Sequence, residues 1–189
     1  VRIGRNVWIG AGAVVLPGVT IVVSPLISLM KDQVMALRNA GIPAGCINSS
    51  MSLDELRETY RDARYGAYKL LYVAPERLLT DGFCSLAQEL EIPLVAVDEA
   101  HCISQWGQDF RPSYLKIVEF LQRLPRRPAV AAFTATATAQ VRADIIRILQ
   151  LHEPETVVTG FDRPNLRFEV LRPKDKRTAL LQLLSERRD

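Results

Sequence analysis

The chain has 189 residues, of which 48% are hydrophobic, and its formal net charge is +3. It is long enough to bury a sizeable core, but nucleic-acid binding cannot be argued from its bulk charge. Cys46, Cys84 and Cys102 show no metal-type spacing and the chain has only two histidines, so we expect reduced thiols and no zinc site. With neither a transmembrane-length apolar run nor a signal-peptide pattern, a cytoplasmic protein is expected.

Residues 1–21, VRIGRNVWIGAGAVVLPGVTI, repeat with a period of six, in which Ile3, Ile9, Val15 and Ile21 hold equivalent positions. Such a period with glycines is typical of a parallel β-helix. The stretch resembles the hexapeptide-repeat acyltransferases of the maltose or galactoside O-acetyltransferase kind, although no histidine stands here to match their catalytic one. A single coil also has no neighbour to stack upon. The alternative is an ordinary β-hairpin with glycine turns.

From residue 20 onward the pattern predicts alternating strands and helices. Strands are predicted at 20–24, 42–47, 69–73, 93–97, 129–133 and 156–159, with 129–133 buried. Helices are predicted at 26–37, 52–65, 82–89, 114–124 and 140–151. Apolar strands that alternate with amphipathic helices predict an α/β fold around a parallel sheet.

The apolar strand 93–97 leads directly into Asp98 and Glu99. In open α/β sheets, ligands bind outside the carboxyl ends of the strands. An NTPase uses one such carboxylate to hold Mg²⁺, directly or through water, and the next to orient the attacking water. An isolated acid pair would more often cap the helix that follows it.

The residues after the acid pair favour the functional interpretation. Trp106, Phe110, Arg111 and Tyr114 stand among Gly, Gln, Asp and Pro, a mixture too polar for a core helix. Aromatic rings and a cation on a loop suit stacking against unpaired bases. Together with the acid pair, this loop indicates a motor that acts on single-stranded nucleic acid.

Residues 98–114, DEAHCISQWGQDFRPSY, resemble the DEAH motif and aromatic-rich loop of the RecQ family of DNA helicases. SPLISLMKDQV from residue 24, APERL from residue 74 and TATAT from residue 134 resemble its motifs Ia, Ib and III. GFDRPNLRFEV from residue 160 resembles the crossover into that family's second RecA-like domain. The expected domains are therefore a hexapeptide-like stretch at 1–21, a partial first RecA-like domain at 22–160 and the start of the second at 161–189.

The resemblance implies a parallel-sheet domain of the P-loop NTPase type in an ATP-dependent 3′-to-5′ DNA helicase of recombination and repair. ATP and Mg²⁺ would be its cofactors, and single-stranded DNA and duplex junctions its partners, in the bacterial nucleoid. Asp98 would hold Mg²⁺, Glu99 would activate water, and His101, Thr134 and Thr136 would couple the two sites. The residues implied in DNA binding are Ser24, Lys31, Gln105, Trp106, Phe110 and Arg111.

Simpler roles remain open for several of these residues. Ser24 could cap a helix beside a solvated Lys31, and Thr138 could be the N-cap of the helix after TATAT. Glu76 and Arg77 of APERL could form a structural ion pair or help to hold the DNA strand, and we favour the ion pair.

Two departures from the family pattern limit these expectations. The chain has no G-x-x-x-x-G-K-[S/T] phosphate-binding (Walker A) loop and no Gly-Lys pair at all, and it also lacks the family's adenine-reading glutamine motif. We therefore expect no ATP hydrolysis by this chain and a destabilised or partly molten domain. Gln108 stands where the family usually has His, which puts its coupling role in doubt.

Three other functions are compared with the helicase. The first is a residual single-stranded DNA-binding module without turnover. The second is a non-functional fusion of the hexapeptide-like stretch with a helicase fragment. The third and weakest is a hexapeptide acyltransferase, since one coil without a histidine cannot do the chemistry.

Overall fold

The computed structural model describes residues 2–3, 7–8, 17–107, 109–158, 170 and 172–186. They belong to two compact units, Val1–Pro154 and Glu155–Asp189. Within the described part of the chain, no helix is long and apolar enough to cross a membrane.

The strands and helices follow the predicted alternation closely. The strands are β1 (Arg2–Ile3), β2 (Val7–Trp8), β3 (Thr20–Val23), β4 (Ala44–Ile47), β5 (Leu70–Val73), β6 (Leu94–Val97) and β7 (Ala129–Ala132). The α-helices are α1 (Ile27–Asn39), α2 (Leu53–Arg64), α3 (Asp81–Glu89), α4 (Lys116–Arg123), α5 (Ala139–Ile148) and α6 (Lys176–Glu186). Short 3₁₀ turns span Pro75–Arg77, Ala100–Ile103 and Pro112–Leu115.

Strands β3 to β7 form one parallel sheet in the order β4-β5-β3-β6-β7, which confirms the predicted α/β fold. Val97 of β6 pairs with Val23 of β3 on one side and with Ala132 of β7 on the other. The carboxyl ends of these three strands therefore lie side by side. Ser24, Asp98 and Phe133 follow directly at that edge.

The sheet is covered on both faces, and the period of two along each strand decides which side chain faces which cluster. Ile21, Val23 and Val97 belong to the larger cluster, together with Phe83 and Phe120 of helices α3 and α4. The residues Val22, Tyr72 and Ala96 lie in or against a smaller cluster that includes Met30 and Val34 of α1. This two-sided burial is why the strands read as almost continuous apolar runs.

Helix α2 begins with the capping box that the sequence predicts. The Ser52 side chain accepts a hydrogen bond from the Glu55 backbone N–H, and a Glu55 carboxylate oxygen accepts one from the Ser52 N–H. This reciprocal pair satisfies two backbone donors at the start of the helix.

Strand β7 corrects the prediction of a buried strand at 129–133. It lies at the edge of the described sheet, where it pairs with β6, and Ala129 is exposed. Phe133 is 57% exposed. An apolar run therefore predicted the strand correctly but not its burial, which depends on the neighbours of the strand.

The prediction of a strand at 156–159 was wrong for the described residues 156–158, which form no strand. The predicted domain boundary at 160 lies among residues 159–169, outside the described residues, and stays a prediction.

At the amino terminus, β1 and β2 pair antiparallel, with Arg2 opposite Trp8 and Ile3 opposite Val7. This is the pairing of the hairpin alternative, because strands of a β-helix coil lie on different faces and pair with the next coil. Most of the stretch 1–21 lies outside the described residues.

Candidate functional site

Asp98, the first residue of the acid pair, follows directly after the carboxyl end of β6. Its backbone N–H donates to Val23 O at 2.9 Å, which extends the pairing of β6 with β3. One carboxylate oxygen, Oδ2, accepts from the Ser24 hydroxyl at 3.2 Å, and the other, Oδ1, accepts from the Glu99 N–H at 3.0 Å. These two donors fix the orientation of the Asp98 carboxylate.

Ser24 is fully buried, and its hydroxyl is directed at Asp98. The helix-cap alternative for Ser24 is wrong, because Leu26 is the N-cap of α1 and no side chain caps that helix. A buried hydroxyl is poorly placed to contact a phosphate, so the DNA contact predicted for Ser24 stays a prediction without structural support.

Glu99 has a left-handed backbone conformation, with φ of +48°. For a residue with a Cβ this conformation costs about 1–2 kcal/mol. The next residue, Ala100, donates its N–H to Phe133 O at 2.8 Å, which joins the turn to the end of β7. Backbone strain of this kind is retained where the surroundings fix it, often at functional sites.

His101 links the acid pair to the segment after β7. Its Nδ1 lies 3.1 Å from Glu99 Oε2 and 3.0 Å from Thr134 Oγ1. Thr134 Oγ1 also accepts from the Thr136 N–H at 3.2 Å. The structure therefore brings together Glu99, His101, Thr134 and the backbone of Thr136. The coupling role expected of His101, Thr134 and Thr136 stays a prediction. In the same segment Thr138 is the N-cap of α5, so this alternative is confirmed.

The aromatic loop spans residues 104–111, and we call it the Trp106 loop. Gln108 lies outside the described residues, so the expectation for it stays a prediction. It is closed at its base by a 2.9 Å hydrogen bond from the Arg111 N–H to Cys102 O. Gln105 is exposed and the Trp106 side chain is 75% exposed, while Phe110 is half-buried. The loop thus presents a large ring to solvent from a fixed base.

Gly107 allows this compact loop. A Cβ at Gly107 would lie 2.3 Å from His101 O and 3.1 Å from Ser104 O. Real Cβ atoms do not approach backbone atoms so closely, so a side chain here would displace the turn that carries His101.

Arg111 lies at the end of the Trp106 loop and is only partly free. It donates to Asp109 Oδ2 from Nε at 2.9 Å and from Nη2 at 2.6 Å. This interaction raises the pKa of Arg111. Nη1 donates to Pro25 O at 3.3 Å, which connects the loop with the segment before α1. Lys31 is exposed on α1 beside Arg38 and has no described contact with the loop.

In the APERL segment the favoured interpretation of Glu76 and Arg77 was wrong. Among the described residues, no ion pair joins them, and Arg77 Nε is buried without a hydrogen-bond partner. Their possible contact with a DNA strand stays a prediction.

Sequence reasoning wrongly grouped Tyr114 with the rings that stack on bases and missed Asp144, whereas both residues hold the Trp106 loop in place. Tyr114 is fully buried and donates from its hydroxyl to Asp98 O at 2.8 Å. Asp144 of α5 accepts from the Ser104 hydroxyl at 2.7 Å. The sequence feature that could have identified Asp144 is an acidic residue beside the apolar positions Val141 and Ile145 of an amphipathic helix.

The side chains around the acid pair limit which metal ion this edge of the sheet could hold. Among the residues that the structure describes, no three His, Cys, Asp or Glu side chains form a metal-binding group. Mg²⁺, however, commonly uses one or two carboxylates and completes its shell with water and substrate phosphates. An oriented Asp98 carboxylate fits that single-ligand role.

The comparisons with known proteins agree with this geometry. The DEAD/DEAH box helicase family model matches residues 14–145. The chain is 49% identical to "ATP-dependent DNA helicase RecQ" of Bacillus subtilis, covering 92% of this chain and 29% of that protein. It is 43% identical to the protein of the same name from Pasteurella multocida, covering 89% of this chain and 26% of the relative. The chain thus spans less than a third of these relatives.

Solved helicase structures share the fold. The Mycobacterium smegmatis helicase Lhr bound to ssDNA and AMP-PNP gives a TM-score of 0.54 at 20% identity, covering 74% of this chain and 19% of that one. The Pyrococcus furiosus Hef helicase domain gives 0.51 at 17% identity, covering 70% and 28%. These likenesses and the five-stranded parallel sheet confirm the RecA-like fold. From its family match over most of its length, the chain belongs to the DEAD/DEAH box helicase family.

Proposed function

We propose that the chain carries the DNA-facing part of a RecQ-type helicase domain, an ATP-dependent 3′-to-5′ DNA helicase. One observation carries this proposal: hydrogen bonds connect the acid pair with the turn before the Trp106 loop and with a residue just after it. His101, in that turn, connects Glu99 with Thr134, and Tyr114, three residues after the loop, donates to Asp98 O. The relatives named RecQ support the assignment of the substrate as DNA.

Single-stranded DNA is the ligand proposed for the Trp106 loop. Trp106 offers an exposed ring on which a base stacks, and the loop also carries the exposed Gln105 and the half-buried Phe110. Base–aromatic stacking contributes about 1–3 kcal/mol per base and tolerates any sequence. Arg111 supplies a cation at the end of the loop, held by Asp109. Lys31 is exposed and remains a proposed phosphate contact.

Mg²⁺ is proposed as a cofactor held by Asp98, with Glu99 as the carboxylate that orients water. When bound, the ion would neutralise charge that develops on phosphate oxygens. The residues present fit Mg²⁺ better than they fit ATP. The sequence lacks a Gly-Lys phosphate loop, because none of its lysines follows a glycine. We therefore propose that the 189-residue chain binds DNA without turning over ATP.

The remaining proposals concern organisation and place in the cell. We retain a hexapeptide-like stretch at 1–21, although the antiparallel β1–β2 pair supports a hairpin over its described residues. A first RecA-like domain at 22–160 and the start of a second at 161–189 are proposed from the motif order. Action on single strands and duplex junctions in the cytoplasmic nucleoid follows from the RecQ assignment.

A fluorescence-anisotropy titration with a labelled, unstructured single-stranded oligonucleotide tests the proposed ligand. The expected result is salt-dependent binding that Trp106→Ala weakens by about tenfold, as loss of one stacked base predicts. Tyr65→Ala is the matched control, because Tyr65 is 84% exposed and lies at the end of α2. Equal affinities for wild type and Trp106→Ala would show that the loop has been assigned wrongly.

A further inference from the structure

We propose that Asp144 is a positioning residue for DNA binding: from helix α5 it holds Ser104 and thereby fixes the Trp106 loop for base stacking. This inference rests on the proposed binding of single-stranded DNA by that loop. It assigns a role to a residue outside the acid pair and outside the aromatic loop itself.

The contact runs through one hydroxyl group. Ser104 is fully buried, and its Oγ donates to Asp144 Oδ2 at 2.7 Å. The same Oγ accepts a hydrogen bond from the Trp106 backbone N–H at 3.1 Å. Because the hydroxyl hydrogen is committed to Asp144, a lone pair of Ser104 Oγ faces the Trp106 amide. Asp144 therefore sets the direction in which Ser104 holds the backbone of Trp106.

The charge on Asp144 suits this role. The residue is only 6% exposed, and its second oxygen, Oδ1, accepts from Arg147 Nη2 at 2.8 Å. Hydrogen bonds from Arg147 and then from Ser104 lower the pKa of Asp144, so the carboxylate is ionised at neutral pH. A hydrogen bond to a charged acceptor is stronger than one between neutral groups.

Packing alone does not explain a carboxylate at this position. Helix α5 buries Val141 and Ile145 beside Asp144, and an apolar residue there would avoid the cost of burying a charge. A buried carboxylate is retained where its hydrogen bonds specify one arrangement. The arrangement specified here is that of the residues at the base of the Trp106 loop.

Helix α5 also begins at the segment that contacts the acid site. Its N-cap is Thr138, four residues after Thr134, which lies beside His101. Two series of contacts therefore connect the Thr134–Thr138 segment with the loop. One includes His101 and the turn that contains it, and the other includes helix α5 and Asp144.

A double-mutant cycle tests this inference by single-stranded DNA affinity. Asp144→Ala should weaken binding by about three- to tenfold, because the loop is no longer held for stacking. In a Trp106→Ala background the same substitution should cause no further loss, since residues that act through one another are not additive. Asp144→Asn keeps an acceptor for Ser104 and should restore part of the affinity.

Val141→Ala is the matched control, because it removes buried contacts from the same helix but leaves the Ser104–Asp144 hydrogen bond in place. It should lower the melting temperature and leave DNA affinity unchanged. In a Trp8→Phe background, where Trp106 is the single tryptophan, Asp144→Ala should also change the emission spectrum, and Val141→Ala should not.

The outcomes separate the inference from the function on which it rests. If Trp106→Ala does not weaken binding, the loop does not bind DNA and both proposals fail. If Trp106→Ala weakens binding but Asp144→Ala and Asp144→Asn match wild type, the positioning role alone is overturned. Additive losses in the double variant would also overturn it, because Asp144 would then act independently of Trp106.

Discussion

The hydroxyl of the buried Tyr114 donates a 2.8 Å hydrogen bond to the backbone carbonyl oxygen of the half-buried Asp98. The residue that follows the segment proposed to face DNA is thereby bonded to the residue proposed to hold the metal ion. A hydrogen bond within the fold thus connects the two proposed sites.

Removing the Tyr114 hydroxyl should destabilise the protein. Tyr114→Phe removes the donor of this part-buried hydrogen bond, which costs roughly 0.5–1.5 kcal/mol of unfolding free energy. Urea denaturation followed by circular dichroism measures the change. Tyr65→Phe removes an exposed hydroxyl and should leave the midpoint unchanged. Equal midpoints for the two variants would show that the Tyr114–Asp98 bond contributes nothing.

A side chain at Gly107 should open the base of the Trp106 loop. Gly107→Ala places a Cβ against His101 O, so the turn Ala100–Ile103 must shift. Cys102 in that turn is buried, and its thiol should therefore react faster with iodoacetamide in the variant than in wild type. Peptide mass spectrometry after timed alkylation gives the rates. Gly66→Ala is the control for a glycine substitution remote from this turn. Unchanged protection of Cys102 in Gly107→Ala would contradict the close approach.

Alkaline pH should lower the unfolding free energy of the protein through ionisation of the Cys102 thiol. Burial, and then the charge of Asp109, raises the pKa of this thiol from 9.0 to about 11. Since the folded-state pKa is the higher one, the contribution of the thiol to stability is intact below pH 9. It is lost as the pH rises from 9 toward 11, where the unfolded chain releases the proton first.

Cys102→Ala should therefore show a flatter decline of unfolding free energy between pH 9 and pH 11 than wild type, even if its stability at pH 7 is lower. Denaturant titrations at several pH values measure both slopes. Parallel slopes would mean that Cys102 is not buried as the structure places it.

Because Glu99 has a left-handed backbone, two substitutions that both remove its charge should differ in their effect on stability. Asn tolerates this conformation far better than Gln, so Glu99→Asn should be more stable than Glu99→Gln by on the order of 1 kcal/mol. Both lose the carboxylate that lies beside His101. Thermal melts of the two variants decide the point. A more stable Gln variant would indicate that Glu99 does not adopt the positive φ.

Local patterns predicted the features that depend on local chemistry. The capping box at Ser52, the strand that ends just before Asp98 and the N-cap at Thr138 each depend on residues within about four positions. The same holds for the exposed ring of Trp106, because a tryptophan between Gln and Gly has no apolar neighbours to cover it.

Local sequence patterns could not predict the features that depend on the order of strands in the sheet. The register of Val23 against Val97 places Ser24 beside Asp98, which removes it from the surface where a DNA contact was predicted. Likewise, the hydrogen bond between Ser104 and Asp144 joins residues 40 positions apart. The exposure of strand β7 depends on its place at the sheet edge, which its apolar residues do not reveal.

We propose that this chain presents the DNA face of a helicase without a phosphate loop for ATP. The decisive experiment is DNA-stimulated ATP hydrolysis, measured with oligonucleotide at a concentration that saturates the wild-type protein, beside Glu99→Gln. Wild type is expected to hydrolyse ATP no faster than Glu99→Gln, although both bind the oligonucleotide. Turnover in wild type that Glu99→Gln abolishes would overturn the proposal, because residues other than a Gly-Lys loop would then hold the phosphates.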